Sequence, residues 1–315
     1  MGAVADSDVK SGKPNLEVFS STLQQLAAAD RSIVVVTSDS RGSGKLVPFA
    51  RKFPEQIVET GIAEQNLVGI SAGLASAGKK VFAVSPACFL TARALEQIKN
   101  DVAYSDNAVK LVGISAGVSY GALGSTHHSL HDFAALRAIN NMMIVAPADN
   151  YETAEAIKAA AGFQRPMYLR FGKKNMPDLN KTGFEIGKGR IIKEGNDLTF
   201  VATGETVYPA MLAASRLESL YKVRAGVISM HTVKPLDTKL LEQCRAIVTV
   251  EEHSVNGGLG EACASFLLQS GISIPFRIVG IPDEYTVTGS QNNIFEHYGI
   301  SECGLTETAL TLLKA

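Results

Sequence analysis

The sequence of 315 residues has no tryptophan and only four cysteines, none of them in a CxxC pair. Isolated cysteines are typical of reduced thiols in the cytoplasm and argue against a disulfide framework. An excess of positive charge is also missing, because 30 Lys and Arg residues stand against 31 Asp and Glu residues. Binding to a nucleic-acid backbone, which depends on clustered basic side chains, is therefore not expected.

Long apolar segments are absent as well. No apolar run approaches the roughly 20 residues that a membrane-spanning helix requires. Residues 1–13 are small and polar, without the apolar centre of a signal peptide, and we expect a loose tail there. These absences predict a soluble cytoplasmic protein that binds no membrane.

What the sequence does contain is a repeated alternation of short apolar runs and longer helical patterns. Most of the runs lack polar alternation, which is typical of strands buried on both faces of a parallel sheet. The predicted strands lie at 33–36, 81–84, 109–112, 142–145 and 167–169. The predicted helices lie at 16–29, 63–77, 91–104 and 151–161. This order predicts a layered α/β domain with right-handed crossovers.

The alternation stops near residues 175–190, where glycines crowd together with Lys and Asn in the composition of a linker. A second series of strands and helices follows. Its predicted strands lie at 198–202, 223–229, 246–250 and 276–279, and its predicted helices lie at 207–220, 259–269 and 306–313. We therefore expect two layered α/β domains, each a mostly parallel sheet flanked by helices. The predicted divisions are a tail at 1–13, a first domain at 14–180, a linker at 181–189 and a second domain at 190–315.

Glu64 is the first candidate for chemistry. It lies in the first turn of a predicted helix that is otherwise nearly uncharged and apolar all round, with Gly69 and Gly73 four residues apart. A carboxylate at a helix N-terminus often does no more than complement the helix dipole, which is worth about 0.3–1 kcal/mol. At the mouth of a buried helix, however, the same group could share or transfer a proton.

A glycine-rich segment with three histidines, residues 117–132, is the second candidate. It follows a predicted strand, and the sites of α/β domains gather beyond the carboxyl ends of strands. His127 and His131 have the spacing of metal ligands on a helix, but the preceding glycines favour a loop and no third ligand is evident. A helix start at Ser129, with Asp132 three residues later, accounts for part of the pattern. We favour His127 as a polar group that faces a substrate.

Three further segments each follow a predicted strand but say little alone. Phe89 would ordinarily be a core residue. The segment 38–44, which contains Arg41 and Ser43, is similar to a phosphate-binding loop but lacks P-loop spacing. Lys173 indicates, by itself, only a solvated lysine.

Taken together and in order, these segments resemble the C-terminal half of a transketolase over nearly the whole chain after residue 13. In the first half, residues 61–66 resemble the glutamate motif of that family and residues 89–91 resemble its pyrimidine-stacking segment. Residues 124–128 resemble its Gly-x-Thr-His stretch. In the second half, three segments resemble a domain that the family shares with deoxyxylulose-phosphate synthases and 2-oxo acid dehydrogenases. These segments are 234–237, 250–252 and 257–260. The ordered set is specific, whereas each piece alone is not.

The resemblance implies a pyrimidine-binding domain followed by the transketolase C-terminal domain, with thiamine diphosphate as the cofactor. Full-length transketolases begin with a further domain that binds the diphosphate and Mg²⁺ through a Gly-Asp-Gly…Asn motif, and this sequence contains no Gly-Asp-Gly. The resemblance therefore implies one subunit of a split transketolase whose metal ligands lie on a separate N-terminal partner. We expect a heterotetramer with two subunits of each kind, which transfers a two-carbon ketol unit from a ketose to an aldose.

The family's cofactor and catalytic roles fall on matching positions of this sequence. The resemblance implies that Glu64 hydrogen-bonds the aminopyrimidine ring, that Phe89 stacks on that ring and that Ile62 belongs to the same cofactor-binding set. His127 would hydrogen-bond a hydroxyl or a developing alkoxide of the donor sugar. The implied catalytic residues are therefore Glu64 and His127.

Four positions are implied to contact the substrate beside His127. Ser43 and Lys173 fall where the family holds the terminal phosphate of the sugar, although Lys173 replaces an arginine and offers a point charge rather than a planar fork. Ser115 stands where the family has a histidine that grips the acceptor phosphate. Arg41 or the partner subunit would have to compensate for that loss.

Two more departures bear on the substrate. Leu16 stands where the family has an arginine of the same phosphate grip, and Leu123 where it has an acid that reads a sugar hydroxyl. We therefore hypothesise that the substrate is a non-standard sugar phosphate or another anionic sugar, such as a sulfosugar.

Three alternatives remain open. A β-subunit of a 2-oxo acid dehydrogenase has the same two-domain layout, and half of a deoxyxylulose-phosphate synthase would share the motifs. A non-catalytic binding subunit could keep the fold without the reaction, although the joint presence of Glu64, Phe89 and His127 argues against it.

Overall fold

The computed structural model describes residues 11–179 and 182–314. Residues 1–10 of the predicted tail lie outside this part of the chain, as does Lys181 of the predicted linker. The elements of the first half are β1 (Ser11–Pro14), α1 (Asn15–Ala29), β2 (Ile33–Thr37), α2 (Val47–Lys52), β3 (Ile57–Glu59), α3 (Glu64–Ser76), β4 (Lys80–Pro86), α4 (Ala87–Arg93), α5 (Leu95–Gln97), β5 (Lys110–Ile114), α6 (Asp132–Arg137), β6 (Met143–Val145), α7 (Asn150–Gly162), β7 (Met167–Arg170) and β8 (Asn175–Pro177).

The second half repeats the alternation of strands and helices. Its elements are β9 (Arg190–Lys193), β10 (Leu198–Ala202), α8 (Val207–Tyr221), β11 (Ala225–Ser229), β12 (Thr232–Lys234), α9 (Thr238–Leu241), β13 (Ile247–Ser254), α10 (Leu259–Gln269), β14 (Phe276–Ile281), α11 (Gln291–His297) and α12 (Glu302–Lys314). None of the helices within the described ranges is long and apolar enough to cross a lipid bilayer.

Two mostly parallel sheets organise these elements, which confirms the predicted α/β class. One sheet has the strand order β12-β6-β7-β5-β4-β2-β3, and its neighbouring strands are parallel except for β12 and β6. The other has the order β14-β13-β10-β11-β9, and only β9 is antiparallel to its neighbour. Because β12 comes from the second half of the chain, the first sheet is completed by residues of both halves.

The central strands are buried at every position, as their continuous apolar runs predict. Helices cover both faces of the first sheet and enclose two apolar cores. Leu16 on α1 is only 2% exposed and belongs to the same core as Phe19 and Phe171. The Leu16 side chain therefore packs the core and does not line a ligand pocket in this structure.

The parallel order brings the carboxyl ends of β2, β3, β4, β5 and β7 to one edge of the first sheet. Ligands of open α/β sheets bind beyond this edge. The segments that leave these strand ends contain Arg41 and Ser43, Ile62 and Glu64, Phe89, Ser115 and His127, and Lys173.

Two local predictions are wrong. The single helix predicted at 91–104 is divided because Ala94 leaves helical geometry (φ −101°, ψ 20°), and a π-helical segment follows α5. The helix predicted to start at Ser129 begins at Asp132 instead. The Ser129 amide donates to the Gly117 carbonyl at 2.8 Å, which holds this residue in a bridge rather than in a helix cap.

The prediction that α3 is buried all round is also wrong. Leu67, Val68 and Ala72 are buried, but the opposite face is not. A Cβ atom added at Gly69 or Gly73 would meet nothing within 4 Å among the described atoms. In this chain, α3 therefore packs with one face and leaves a face with two glycines uncovered.

A buried arginine joins the two halves of the chain. Arg170, at the end of β7, donates from Nε to Asp132 at 2.8 Å and from Nη2 to the backbone carbonyls of Ser129 and Glu252 at 3.1 and 2.8 Å. Its Nη1 lies 3.8 Å from the Glu252 carboxylate on β13. The guanidinium therefore holds a strand of the first sheet, the segment before α6 and a strand of the second sheet at one point.

A second buried ion pair lies near the start of the second half. Arg190, the first residue of β9, donates from Nη1 to Glu152 on α7 at 2.6 Å and lies 3.6 Å from Asp149. The side chains of all three residues are nearly inaccessible to water. Removing one partner of such a pair is costly because a buried charge is left uncompensated.

We predict that Arg190→Met lowers the free energy of unfolding by about 3–5 kcal/mol, since the Glu152 and Asp149 carboxylates lose their cation. Urea denaturation followed by circular dichroism measures this change. Arg31→Met removes the partner of an exposed ion pair and serves as the control with little expected effect. Equal losses in the two variants would contradict the prediction.

Candidate active site

A continuous row of side chains lies at the carboxyl edge of the first sheet. Each member contacts the next, and the row joins segments that follow β3, β4, β5 and β7. In spatial order its members are Glu64, Arg93, Phe89, His127, Tyr120 and Lys173.

Glu64 begins the row as the first residue of α3. Its side chain is 5% exposed, and Oε1 accepts a hydrogen bond from Arg93 Nη1 at 2.9 Å. The start of a helix favours a negative charge because unpaired backbone N–H groups point outward there. Arg93 is itself 51% exposed, and its guanidinium lies 4.3 Å from the centre of the Phe89 ring. Glu64 is thus a buried carboxylate with a cation that lies at the surface.

His127 occupies the centre of the row. Its ring meets the rings of Phe89 and Tyr120 edge-on, each with centroids 5.4 Å apart. Thr126 Oγ1 lies 3.0 Å from His127 Nδ1, which leaves Nε2 as the ring nitrogen to bind a ligand. The imidazole is half-buried between two aromatic rings, so its position is well defined.

Lys173 ends the row above Tyr120, with Nζ 3.9 Å from the ring centre. Partial burial lowers the pKa of Lys173, and burial raises the pKa of Tyr120. The Ser115 hydroxyl lies beside that of Tyr120. Ser115 also has a left-handed backbone (φ 54°), a conformation that is uncommon for residues other than glycine and frequent at functional sites.

Three predicted residues lie at the same edge without joining the row. Arg41 Nε is 3.1 Å from a carboxylate oxygen of Glu59, and the Ser43 hydroxyl donates to the Ser40 carbonyl at 3.2 Å. Ile62 precedes α3 and is 75% exposed. The three lie in the loops after β2 and β3, whereas the row begins at Glu64.

Sequence reasoning missed Arg93 and Tyr120. Arg93 is four residues after Phe89, a spacing that places two residues of a helix on one face, so the contact could have been found from the pattern. Tyr120 lies inside the glycine-rich segment 117–132, but its residue type alone carried no signal.

The histidine cluster holds no metal-binding arrangement in the described chain. Across residues 11–179 and 182–314, no group of three or more His, Cys, Asp and Glu side chains is placed to bind a metal ion. His127 belongs to the row, His128 is buried, and the exposed His131 immediately precedes α6.

Behind the glycine-rich segment lies a pair of buried carboxyl groups. Gln291 Nε2 donates to Glu252 and to Glu205, each at 2.6 Å. Burial and the neighbouring Glu205 raise the pKa of Glu252, and burial raises that of Glu251 to about 7. The Glu251 and Glu252 carboxyl groups therefore stay protonated in the folded chain at pH values at which they are ionised in the unfolded chain.

We predict that this chain loses stability as the pH rises from about 6.5 to about 8. In this window the folded state binds more protons than the unfolded state, so unfolding becomes easier as the pH increases. Burial lowers the pKa of His253 from 6.5 to about 4, so this ring is neutral in the folded state, and its opposing contribution fades as the unfolded-state ring loses its proton above pH 6.5. Urea midpoints should fall across the window for the natural chain and less steeply for Glu252→Gln. A rise in the midpoint, or parallel slopes, would contradict the assignment.

Two family models match the chain. They describe the transketolase pyrimidine-binding domain over residues 14–178 and the transketolase C-terminal domain over residues 187–305. The chain belongs to the transketolase family. This finding confirms the resemblance seen in the sequence, and the row described above lies within the pyrimidine-binding domain.

Relatives of this transketolase-family chain match it along most of their own length. An apulose-4-phosphate transketolase subunit from Phocaeicola vulgatus is 48% identical over 94% of this chain and 96% of that protein. The 6-deoxy-6-sulfo-D-fructose transketolase subunit SqwH of a Clostridium species is 32% identical over 90% of each. A solved structure described as a split gene transketolase, inactive beta4 tetramer, has a TM-score of 0.85 and 35% identity, covering 96% of this chain and 99% of that chain. Deoxyxylulose-phosphate synthases also match, but the chain spans only about half of their length.

Proposed function

We propose that this chain is the C-terminal subunit of a split transketolase that depends on thiamine diphosphate and transfers a two-carbon ketol unit from a ketose to an aldose. The observation that carries the proposal is the buried Glu64 carboxylate at the start of α3. Arg93 contacts both this carboxylate and the Phe89 ring, and so joins the two groups. The relatives that match over nearly their full length are transketolase subunits, which favours this function over half of a deoxyxylulose-phosphate synthase.

The residues of the row fit the cofactor. A buried carboxylate suits a nitrogen of an aminopyrimidine, and the partly buried Phe89 suits the flat face of such a ring. When bound, thiamine diphosphate supplies a carbon nucleophile for the carbonyl group of a ketose. Ile62, in the loop before α3, completes the set of residues assigned to the cofactor. Mg²⁺ and the diphosphate are expected to be held by an N-terminal partner subunit.

Glu64 and His127 are the residues assigned to catalysis. Glu64 holds a proton at the ring nitrogen. For this, Arg93 must share or release the Oε1 atom of Glu64. The side chain of Arg93 is exposed and has room to move away. His127 donates from Nε2 to an oxygen of the donor sugar and stabilises the negative charge that develops there. Its two aromatic neighbours fix the ring before the substrate arrives, which reduces the cost of orientation.

The substrate proposed is a sugar that carries a phosphate or another anionic group. Lys173 is the cation at the end of the row away from Glu64 and is partly desolvated, so an anion next to it would be stabilised. Ser115 lies beside Tyr120 in the same part of the row, and Leu123 is a 55% exposed leucine on the same loop. Ser43 and Arg41 stay in the proposed substrate set as residues of the adjacent loop. Two relatives named for apulose 4-phosphate and for a sulfofructose favour an anionic sugar outside the common pentose phosphates.

The proposed assembly is a heterotetramer of two such chains and two N-terminal subunits. The uncovered face of α3 supports it, because a Cβ atom at Gly69 or Gly73 would meet nothing among the described atoms, so this face leaves room for a closely packed neighbour. We place the complex in the cytoplasm, where isolated cysteines such as Cys88 and Cys263 stay reduced.

Reconstitution tests the proposed function directly. The chain is mixed with a partner that carries a Gly-Asp-Gly…Asn motif, and ketol transfer is measured with a panel of phosphorylated and sulfonated ketoses and aldoses. We expect activity from the mixture and none from this chain alone. Activity of the isolated chain would contradict the split arrangement, and decarboxylation of pyruvate would support a 2-oxo acid dehydrogenase instead.

We predict that Glu64→Gln lowers the turnover of the reconstituted enzyme by about 10²–10⁴-fold, the usual contribution of proton transfer by a placed side chain. The measurement is the initial rate of ketol transfer at saturating cofactor and substrate. Glu17→Gln, at an exposed position of α1, is the control with unchanged turnover. A Glu64→Gln enzyme of normal turnover would remove Glu64 from the mechanism.

We predict that Gly73→Leu blocks assembly with the partner while this chain still folds. A Cβ atom at Gly73 would meet nothing within 4 Å among the residues that the structure describes, and leucine favours the helix over glycine by roughly 0.5–1 kcal/mol. Light scattering of the mixed subunits measures assembly, and thermal unfolding measures the fold. Gly162→Leu, at the open C-terminal end of α7, is the matched control. Normal assembly of Gly73→Leu would place the partner elsewhere.

A further inference from the structure

The loop that carries His127 is held by residues of the second half of the chain. At its start, the Val118 amide donates to Glu252 Oε1 at 2.9 Å. Near its end, His128 Nδ1 lies 2.6 Å from Thr286 Oγ1, and Ser125 Oγ lies 3.1 Å from the same hydroxyl. Two segments that are more than 130 residues away in sequence therefore fix both ends of this loop.

The hydrogen bonds around Thr286 have one consistent direction. The carbonyl of Gly121 can only accept, so His128 Nε2, 3.0 Å away, carries the hydrogen. Burial lowers the pKa of His128 and favours the neutral ring, whose Nδ1 then accepts from Thr286. The Thr286 oxygen in turn accepts from Ser125. We refer to Ser125, His128 and Thr286 as the clasp.

Close backbone contact makes the clasp short and stiff. A Cβ atom at Gly121 would lie 2.5 Å from the carbonyl oxygen of Gly289, and one at Gly117 would lie 2.1 Å from Cδ of Glu252. Both positions also have a left-handed backbone, with φ of 50° and 61°. Glycine is needed here for conformation and for space, because the loop lies directly against the backbone of Gly289 and the carboxyl group of Glu252.

The clasp is coupled to His127 through a tight turn. The amides of His127 and His128 both donate to the Gly124 carbonyl, at 2.9 and 3.2 Å. A shift of the His128 ring therefore moves the backbone from which the His127 ring projects. The hydrogen bonds that Thr286 makes among the described side chains go to Ser125 and His128, neither of which belongs to the row.

We propose that Thr286 is a positioning residue, which fixes His127 in the catalytic row by holding His128 through the clasp. The inference rests on the proposed ketol transfer for its catalytic consequence, whereas the clasp itself can be tested in the chain alone. The C-terminal domain thus contributes to the site through a hydroxyl group that acts on the loop of His127.

Hydrogen exchange of the isolated chain tests the clasp. Thr286→Val keeps the shape of the side chain and removes the hydroxyl, and Thr286→Ser restores it. We expect amides of residues 125–129 to exchange about two- to tenfold faster in Thr286→Val, the loss of one or two hydrogen bonds, and at the natural rate in Thr286→Ser. Thr288→Val, which removes an exposed hydroxyl two residues away, is the matched control. Unchanged exchange in Thr286→Val would overturn the clasp.

Kinetics of the reconstituted enzyme test the positioning role. Thr286→Val should lower kcat by up to about 100-fold, the effect of a displaced catalytic group, with unchanged affinity for thiamine diphosphate, since Glu64 and Phe89 lie on helices outside the loop. Thr286→Ser should recover the rate, and Thr288→Val should not alter it. A rate that is unchanged despite faster exchange would overturn the positioning role.

Two further readouts keep these outcomes separate. If the natural chain shows no ketol transfer with its partner, the proposed function fails, while hydrogen exchange still decides the clasp. If Thr286→Val does not fold, Ser125→Ala removes the other hydroxyl of the clasp at a half-buried position. Ser125→Ala should then show faster exchange in the same residues, and natural exchange rates would overturn the clasp.

Discussion

Burial of the Arg170 guanidinium is the constraint on which the rest of the structure depends. An arginine without water must have its charge and its N–H groups satisfied within the protein, and the cost of failure is several kcal/mol. Asp132 supplies the close carboxylate, and two backbone carbonyls accept the remaining close hydrogen bonds. One of these carbonyls belongs to β13, so the ion is satisfied only when the second sheet is in place. The two halves of the chain are therefore parts of one folded unit.

The site follows from this constraint and from the parallel order of the first sheet. Parallel strands bring five loops to one edge, and the row of aromatic and charged side chains uses four of the strand ends. The rings of Phe89, His127 and Tyr120 separate the cation at Lys173 from the ion pair at Glu64. The anionic sugar and the pyrimidine ring of the proposed function would thus have distinct places along one row, with an imidazole between them.

Much of this arrangement could be predicted from the sequence, and the failures have physical reasons. Strand β10 and helix α10 have the predicted bounds because continuous apolar residues and a glycine turn mark them locally. Glu64, Phe89 and His127 were found because motifs keep them near strand ends. Thr286 could not be found, because its role depends on a histidine 158 residues earlier in the chain. The bounds proposed for the two domains stay predictions, since β12 from the second half completes the first sheet.

The error over α3 has a different origin. Its mostly apolar sequence predicts burial, and the proposed assembly would cover the face that this single chain leaves open. Glycine within a helix costs roughly 0.5–1 kcal/mol relative to alanine, and α3 bears that cost at Gly69 and again at Gly73, where an added Cβ atom would meet nothing within 4 Å in the described part of the chain. In the proposed assembly, a substitution that makes the free chain more stable at these two glycines would therefore weaken the complex.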